Sequence, residues 1–267
     1  MNSVEPIVFV TSLNQQLFFD YGENFINSWL KKADLNLVLV VVHEETSAPY
    51  LDPYSRNNVI PMSLDNAECE LFKNKFQRFQ EARGVINVLV DEPRGISQQS
   101  YNYRFDAIRF SFKIFSLMKV LRAGLIKDKF AWIDADMLCL EHITSAQISP
   151  LFPEGDEMAS YLGRESYPMP NPYSECGFVG YQLSHPSTSQ FFSEFEDMYL
   201  SGNIFLLREW HDSWVFDFLR LKYEQLGVGF KNLSAHNLHT DHPFSESGLA
   251  QFFDHLKGPE RKRVGHS

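Results

Sequence analysis

Short Val- and Phe-rich runs alternate along this chain with longer stretches of helical spacing, and that alternation restricts the fold to the α/β class. Ile7 to Thr11 and Leu37 to His43 are continuous apolar runs of strand length, as expected of strands buried on both faces. Between them, Tyr21 to Ala33 carries Phe25, Ile26, Trp29 and Leu30 at helical spacing, with Lys31 and Lys32 suited to a helix C-terminus. Residues 49–61 are polar and broken by prolines, which predicts a loop. Glu68 to Arg83 predicts a polar helix closed by Gly84, Val85 to Val90 a third strand, and Ser100 to Ala123 a long helix ended by Gly124. Lys129 to Ile133 predicts a fourth strand that runs straight into Asp134-Ala135-Asp136. Beyond residue 150 the pattern predicts strands over 158–163, 177–183 and 228–233 and helices over 186–201 and 212–226. From Leu249 a helix-like stretch precedes a basic cluster, Arg261-Lys262-Arg263.

The 267 residues, 44% hydrophobic, supply one sizeable core and too little for two comfortable domains. A formal net charge of -10 argues against nucleic acid as a partner, although a few local cations can still bind a small anion. The three cysteines, Cys69, Cys139 and Cys176, are odd in number and form no CxxC pair, so free thiols are expected rather than a disulfide framework or a zinc site. The first residues lack the basic and apolar regions of a secretory signal, and the longest strongly apolar run, Leu37 to Val42, is too short to span a bilayer. No transmembrane segment and a cytoplasmic location are the expectations.

Asp134-Ala135-Asp136 is the motif with the clearest chemical content. Two carboxylates one residue apart at a strand end offer hard oxygen ligands to a divalent cation, and such a cation neutralises a nucleotide diphosphate. Chance alone produces about one such pair in a chain of this composition, so the weight rests on the buried strand Phe130 to Ile133 before it. The carboxyl ends of strands are where ligands bind in open α/β sheets. A solvated turn is the competing reading.

Arg109 and Lys113, four apart on one helix face, suggest an anion site, the alternative being a solvated basic edge or a pairing with Asp106. Near the end of the chain, His255 offers an imidazole as a third metal ligand, and Gly258 allows backbone to approach a phosphate. A surface tail is the bland alternative. Glu175-Cys176-Gly177-Phe178 and Glu209-Trp210-His211-Asp212 place carboxylates beside aromatics, a combination suited to sugars. Asp212 or Glu175 is a candidate general base or stabiliser of positive charge at an anomeric carbon; Asp212 also suits a helix cap.

With these pieces in place the chain resembles the GT-A glycosyltransferases, over most of its length. The resemblance implies a Rossmann-like α/β fold with a mixed, mostly parallel central sheet flanked by helices, in a single domain. It further implies a nucleotide-sugar-binding half (1–137) and an acceptor-binding half ending in a metal and diphosphate tail (138–267). It implies a Mn2+ or Mg2+ cofactor held by Asp136, with Asp134 on the metal or the ribose, and Thr11 and Tyr21 near the base. His255 resembles the metal-binding His of the His-x-x-Gly-x-x-Lys motif of glycogenin-like family 8 transferases; Arg261 stands at the final position and Lys262 beside it, keeping charge for the diphosphate. Trp210-His211-Asp212 is similar to the Trp-His-Asp-Glu motif of the blood-group A/B transferases, which brings His211 into the candidate catalytic set beside Asp212 and Glu175. Ser213 replaces the last Glu, so neither retention nor inversion is implied. The expected activity is transfer of a sugar from a nucleotide-diphosphate sugar, favouring UDP, to a glycan or other hydroxyl acceptor. A metal-dependent nucleotidyltransferase and a non-catalytic carbohydrate- or nucleotide-binding protein are the alternatives, since one fold hosts many functions.

Overall fold

The computed structural model describes residues 5–44, 47–56, 58–91, 95–164, 173–234 and 242–256. In chain order the strands are β1 (Ile7–Leu13), β2 (Leu37–His43), β3 (Val59–Ser63), β4 (Val85–Asp91), β5 (Ile96–Tyr101) and β6 (Lys129–Ile133). They continue with β7 (Met137–Cys139), β8 (Glu157–Leu162), β9 (Glu175–Gln182), β10 (Gly229–Asn232) and β11 (Phe253–His255). The longer helices are α1 (Glu23–Lys32), α2 (Ala67–Phe76), α3 (Ala107–Arg122), α4 (Thr188–Leu200) and α5 (Asp212–Gln225).

Seven strands form one sheet in the order β10-β8-β9-β6-β1-β2-β3. Pairings β6–β1, β1–β2, β2–β3 and β10–β8 are parallel, while β9 runs antiparallel to both β6 and β8. The sheet is mixed and mostly parallel, with cores on both faces. One core packs Val8, Val10, Val40 and Trp132 against α3, α4 and α5; the other packs Phe9, Leu39, Ile133 and Phe178 against α1 and the chain's last described turn. Burial on both faces is why β1 and β2 read as unbroken apolar runs rather than alternating ones.

Three departures from the sequence reading have local causes. Val85 to Asp91 is a strand but lies outside the central sheet, pairing with β5 in a separate hairpin. The stretch expected to begin a long helix at Ser100 starts instead in β5, and α3 begins at Ala107 behind Asp106, whose carboxylate accepts from the backbone N–H of Arg109. Residues 59–61, expected as the end of a loop, belong to β3. That strand is the sheet edge, where Pro61 removes no ladder hydrogen bond that a further strand would need.

The last described segment sets up the site. After a short turn at Gly248–Gln251, the chain forms β11 rather than continuing as helix, and β11 pairs antiparallel with β7. β7 is in turn fastened to α1: Ser28 Oγ accepts from the Cys139 amide at 3.0 Å, and Lys32 Nζ donates to the carbonyls of Cys139 and Leu140. Phe253 fixes β11 from below, ring-stacked on Trp29 and beside Phe9.

Candidate active site

Asp134 and Asp136 leave the carboxyl end of β6, the central strand of the sheet. The Asp134 amide donates to the carbonyl of Gly177 on β9, and Trp132 Nε1 donates to Asp134 Oδ1 at 2.6 Å, so the first acid is pinned by backbone and side chain alike. Both aspartates stay partly exposed, with side-chain exposures of 27% and 18%.

The β11–β7 ladder places His255 opposite Met137 and bonds the Leu256 amide to the Asp136 carbonyl. His255 Nε2 consequently lies 3.2 Å from Asp136 Oδ1 and 3.7 Å from Asp134 Oδ2. The ring is 3% exposed, yet neither of its nitrogens makes a hydrogen bond among the described residues. A buried imidazole without such bonds is costly unless something else satisfies it. Asp134, Glu175 and His255 each offer a ligand atom, and these atoms lie within 4.8 Å of one another. Two or three carboxylate oxygens converging with an imidazole nitrogen suit a Mn2+- or Mg2+-class ion. The residues present fit a divalent cation.

Gly177 makes this convergence possible. A Cβ at that position would lie 2.4 Å from His255 Cε1 and 2.9 Å from both His255 Nδ1 and Glu175 Oε1. A glycine inside a strand pattern signals close approach of another group, and that was the available sequence clue to a residue otherwise unassigned.

Lys113, on α3, sits in the heart of the site. Its ammonium pairs with Asp212, donates to the Cys176 carbonyl at 2.8 Å, lies 3.4 Å from Asp134 Oδ1 and rests 4.8 Å from the Trp132 ring centre. Burial works to lower its pKa, but Asp134 and Asp212 outweigh that and hold it well above the ordinary lysine value. With these partners, Lys113 links two acids rather than presenting an open cation to an anion. Arg109, one turn earlier, is exposed; its guanidinium meets the Tyr101 hydroxyl at 3.4 Å, and its backbone, not its side chain, bonds to Asp106.

Asp212 is the first residue of α5, behind His211, and its carboxylate pairs with Lys113. His211 is 2% exposed, with Nε2 3.0 Å from Glu209 Oε2 and its ring packed among Tyr103, Tyr173 and Phe110. Burial pulls its pKa below the ordinary histidine value, against the upward pull of Asp212 and Glu209. Glu175, at the start of β9, is 4% exposed. Its Oε1 accepts from the Gly177 amide, and its Oε2 accepts from Arg164 Nη2 at 2.9 Å and faces His242 Nε2 at 3.0 Å. Arg164 and His242 carried no motif that would single them out; they meet Glu175 only through the fold.

Thr11 is wholly buried within β1, and Tyr21 is half-buried in the turn before α1. An open cleft of about 490 Å³ lies just beyond the carboxyl ends of β1 and β2, lined by Asn14, Gln15, Gln16, Phe19 and Glu44. Gly258 and Lys262 lie outside the described residues. No helix among the described residues is long and apolar enough to cross a membrane.

No protein-family profile matches the chain, and no curated protein is significantly similar to it in sequence. Solved structures are similar in fold. An active-site mutant of LgtC superposes with a TM-score of 0.50 and 12% identity, over 97% of this chain and 95% of the other. The galactosyltransferase LgtC with donor and acceptor sugar analogs gives 0.48 and 12%, over 94% and 87%. Mouse xyloside xylosyltransferase 1 gives 0.45 and 12%, over 86% and 85%. For the glycosyltransferase GlyE of Streptococcus pneumoniae the values are 0.49 and 8%, with 86% of this chain matched to 45% of that one. The fold is that of the GT-A glycosyltransferases.

Proposed function

We propose that this chain is a divalent-cation-dependent glycosyltransferase that moves a sugar from a nucleotide-diphosphate sugar, UDP-linked in the first instance, onto a hydroxyl of a carbohydrate acceptor. The observation that carries the reading is the convergence of Asp134, Asp136 and His255, with both buried ring nitrogens of His255 lacking a hydrogen bond. These three residues would hold Mn2+ or Mg2+, with Asp134 also the candidate for a ribose hydroxyl. A bound divalent cation supplies compensation for the charge that accumulates on a departing diphosphate.

The remaining work falls to the chain's own groups. Asn14, Gln15 and Glu44 offer polar contacts to a nucleoside, and the half-exposed ring of Phe19 offers a face for the base. Tyr21, half-buried in the turn before α1, is assigned a place near the base. The role of facing positive charge growing at the anomeric carbon is assigned to Asp212, which Lys113 ties to Asp134. Glu175 is less suited to act as a base, because both of its oxygens already accept hydrogen bonds. The first half of the chain is read as the donor side and the second half, with the ring of Tyr173 beside Trp214 at the start of α5, as the acceptor side. The three buried free thiols support a reducing compartment such as the cytoplasm.

Incubation with UDP-sugars and Mn2+ tests the reading. Slow donor hydrolysis releasing UDP is expected, and Asp136→Ala should abolish it. Release of sugar 1-phosphate instead would indicate nucleotidyl transfer, and sugar binding indifferent to EDTA without turnover would indicate a binding protein.

A further inference from the structure

We infer that Glu175 is a positioning residue for His255, fixing which edge of the imidazole faces a bound cation. The inference rests on the proposed cation site and adds to it a carboxylate that acts through the histidine. β9 sets Glu175 and Gly177 two residues apart, on one face of the strand, beneath the His255 ring. The absence of a side chain at Gly177 lets the ring lie against backbone, so the socket has a flat floor.

The two edges of the ring then meet different surroundings. On the Nε2 edge stand Asp136 Oδ1 and Asp134 Oδ2, at 3.2 and 3.7 Å. On the Nδ1 edge stands Glu175 Oε1, at 4.0 Å, beyond hydrogen-bond length but close enough in a buried setting to favour a proton on that nitrogen. A proton on Nδ1 leaves the Nε2 lone pair aimed between the aspartates. Metal-bound histidines are commonly oriented in this way by a carboxylate near the second nitrogen.

Glu175 is anchored for such a role. The Gly177 amide holds one oxygen at 3.0 Å, and the Arg164 guanidinium holds the other at 2.9 Å, with His242 beside it. A carboxylate fixed on both sides sets the field at the ring without needing to move. Arg164 lies two residues beyond the end of β8, the strand beside β9, which ties the socket to the sheet.

The test is Mn2+ affinity without any sugar donor, read from the loss of the free-ion paramagnetic resonance signal. It compares wild type, Glu175→Gln, His255→Ala and the double variant. Glu175→Gln, which keeps the shape and removes the charge, should weaken Mn2+ binding about tenfold or more, within the range typical of residues that orient a ligand. In the His255→Ala background the same change should shift affinity less than about twofold, because its effect runs through the ring. Arg164→Gln, which frees one oxygen of Glu175, should give a smaller loss and guards against a fold-specific failure of the first variant. Wild-type affinity in Glu175→Gln and Arg164→Gln would overturn the inference and leave the cation site intact. An undiminished loss in the His255→Ala background would overturn it in favour of Glu175 as a direct ligand. No Mn2+ binding by the wild type would remove the cation site, and the inference with it.

Discussion

Lys113 carries a full charge into a site where water has little access, and its neutralisation by Asp212 and Asp134 makes that tolerable. Lys113→Met should leave two acids facing each other without their cation and cost about 3–5 kcal/mol in urea unfolding. Arg109→Met, at an exposed position, should cost no more than about 0.5 kcal/mol. Equal costs would show that the buried link is not a structural element. The helical spacing marked both cations, but nothing in it distinguished the exposed one from the buried one. The partners of Lys113 lie on β6, β9 and α5, and no local pattern announces such a meeting. The carboxylates of the DxD pair were legible because the apolar strand before them fixes where they emerge. Thr11 shows the converse: it belongs to the right strand, but its side chain is enclosed, and the residues facing the cleft come just after it.

His211 provides a residue-scale test in pH. Its folded pKa is lowered, chiefly by burial, so the unfolded chain takes up a proton first as pH falls. The stability associated with neutral His211 is therefore fully present above its unfolded value, near 6.5, and is lost as pH drops through and below it. Wild-type melting temperature should fall between about pH 6.5 and 5 more steeply than that of His211→Gln. Parallel curves would show that this histidine is not held neutral.

Among the elements, β11 is the short strand that carries the proposed ligand His255. Three residues are too few to show a period, so the sequence offered only a tail with a histidine in it. The element exists because β7 presents a free edge and because Phe253 enters the core beside Trp29. Phe253→Ala should destabilise the protein by about 3–5 kcal/mol and also weaken Mn2+ binding, although Phe253 lies outside the cation site. Hydrogen exchange should accelerate first at the β11–β7 amides. Loss of stability with unchanged metal affinity would mean that β11 does not position His255. β5 is illegible for a related reason: Ser97, Gln98, Gln99 and Ser100 show neither strand alternation nor helical spacing, and only pairing to β4 decides their state.

Across the whole molecule, the alternation of strand and helix conveyed the class. Sheet order was not legible, because β9 reverses direction between β6 and β8 through contacts that no periodicity encodes. An overall charge of -10 disfavours an approaching nucleotide diphosphate, and the proposed cation at the strand mouth would offset that. Cation and nucleotide should then depend on one another, each raising the affinity of the other. The decisive measurement is the melting temperature with UDP alone, Mn2+ alone and both, in wild type, Asp136→Ala and His255→Ala. UDP with Mn2+ should stabilise the wild type by about 2.7 kcal/mol at a hundredfold excess over Kd, UDP with EDTA should do little, and both variants should lose the joint effect. Equal stabilisation by UDP in EDTA, or an undiminished joint effect in the variants, would contradict a cation held by Asp134, Asp136 and His255.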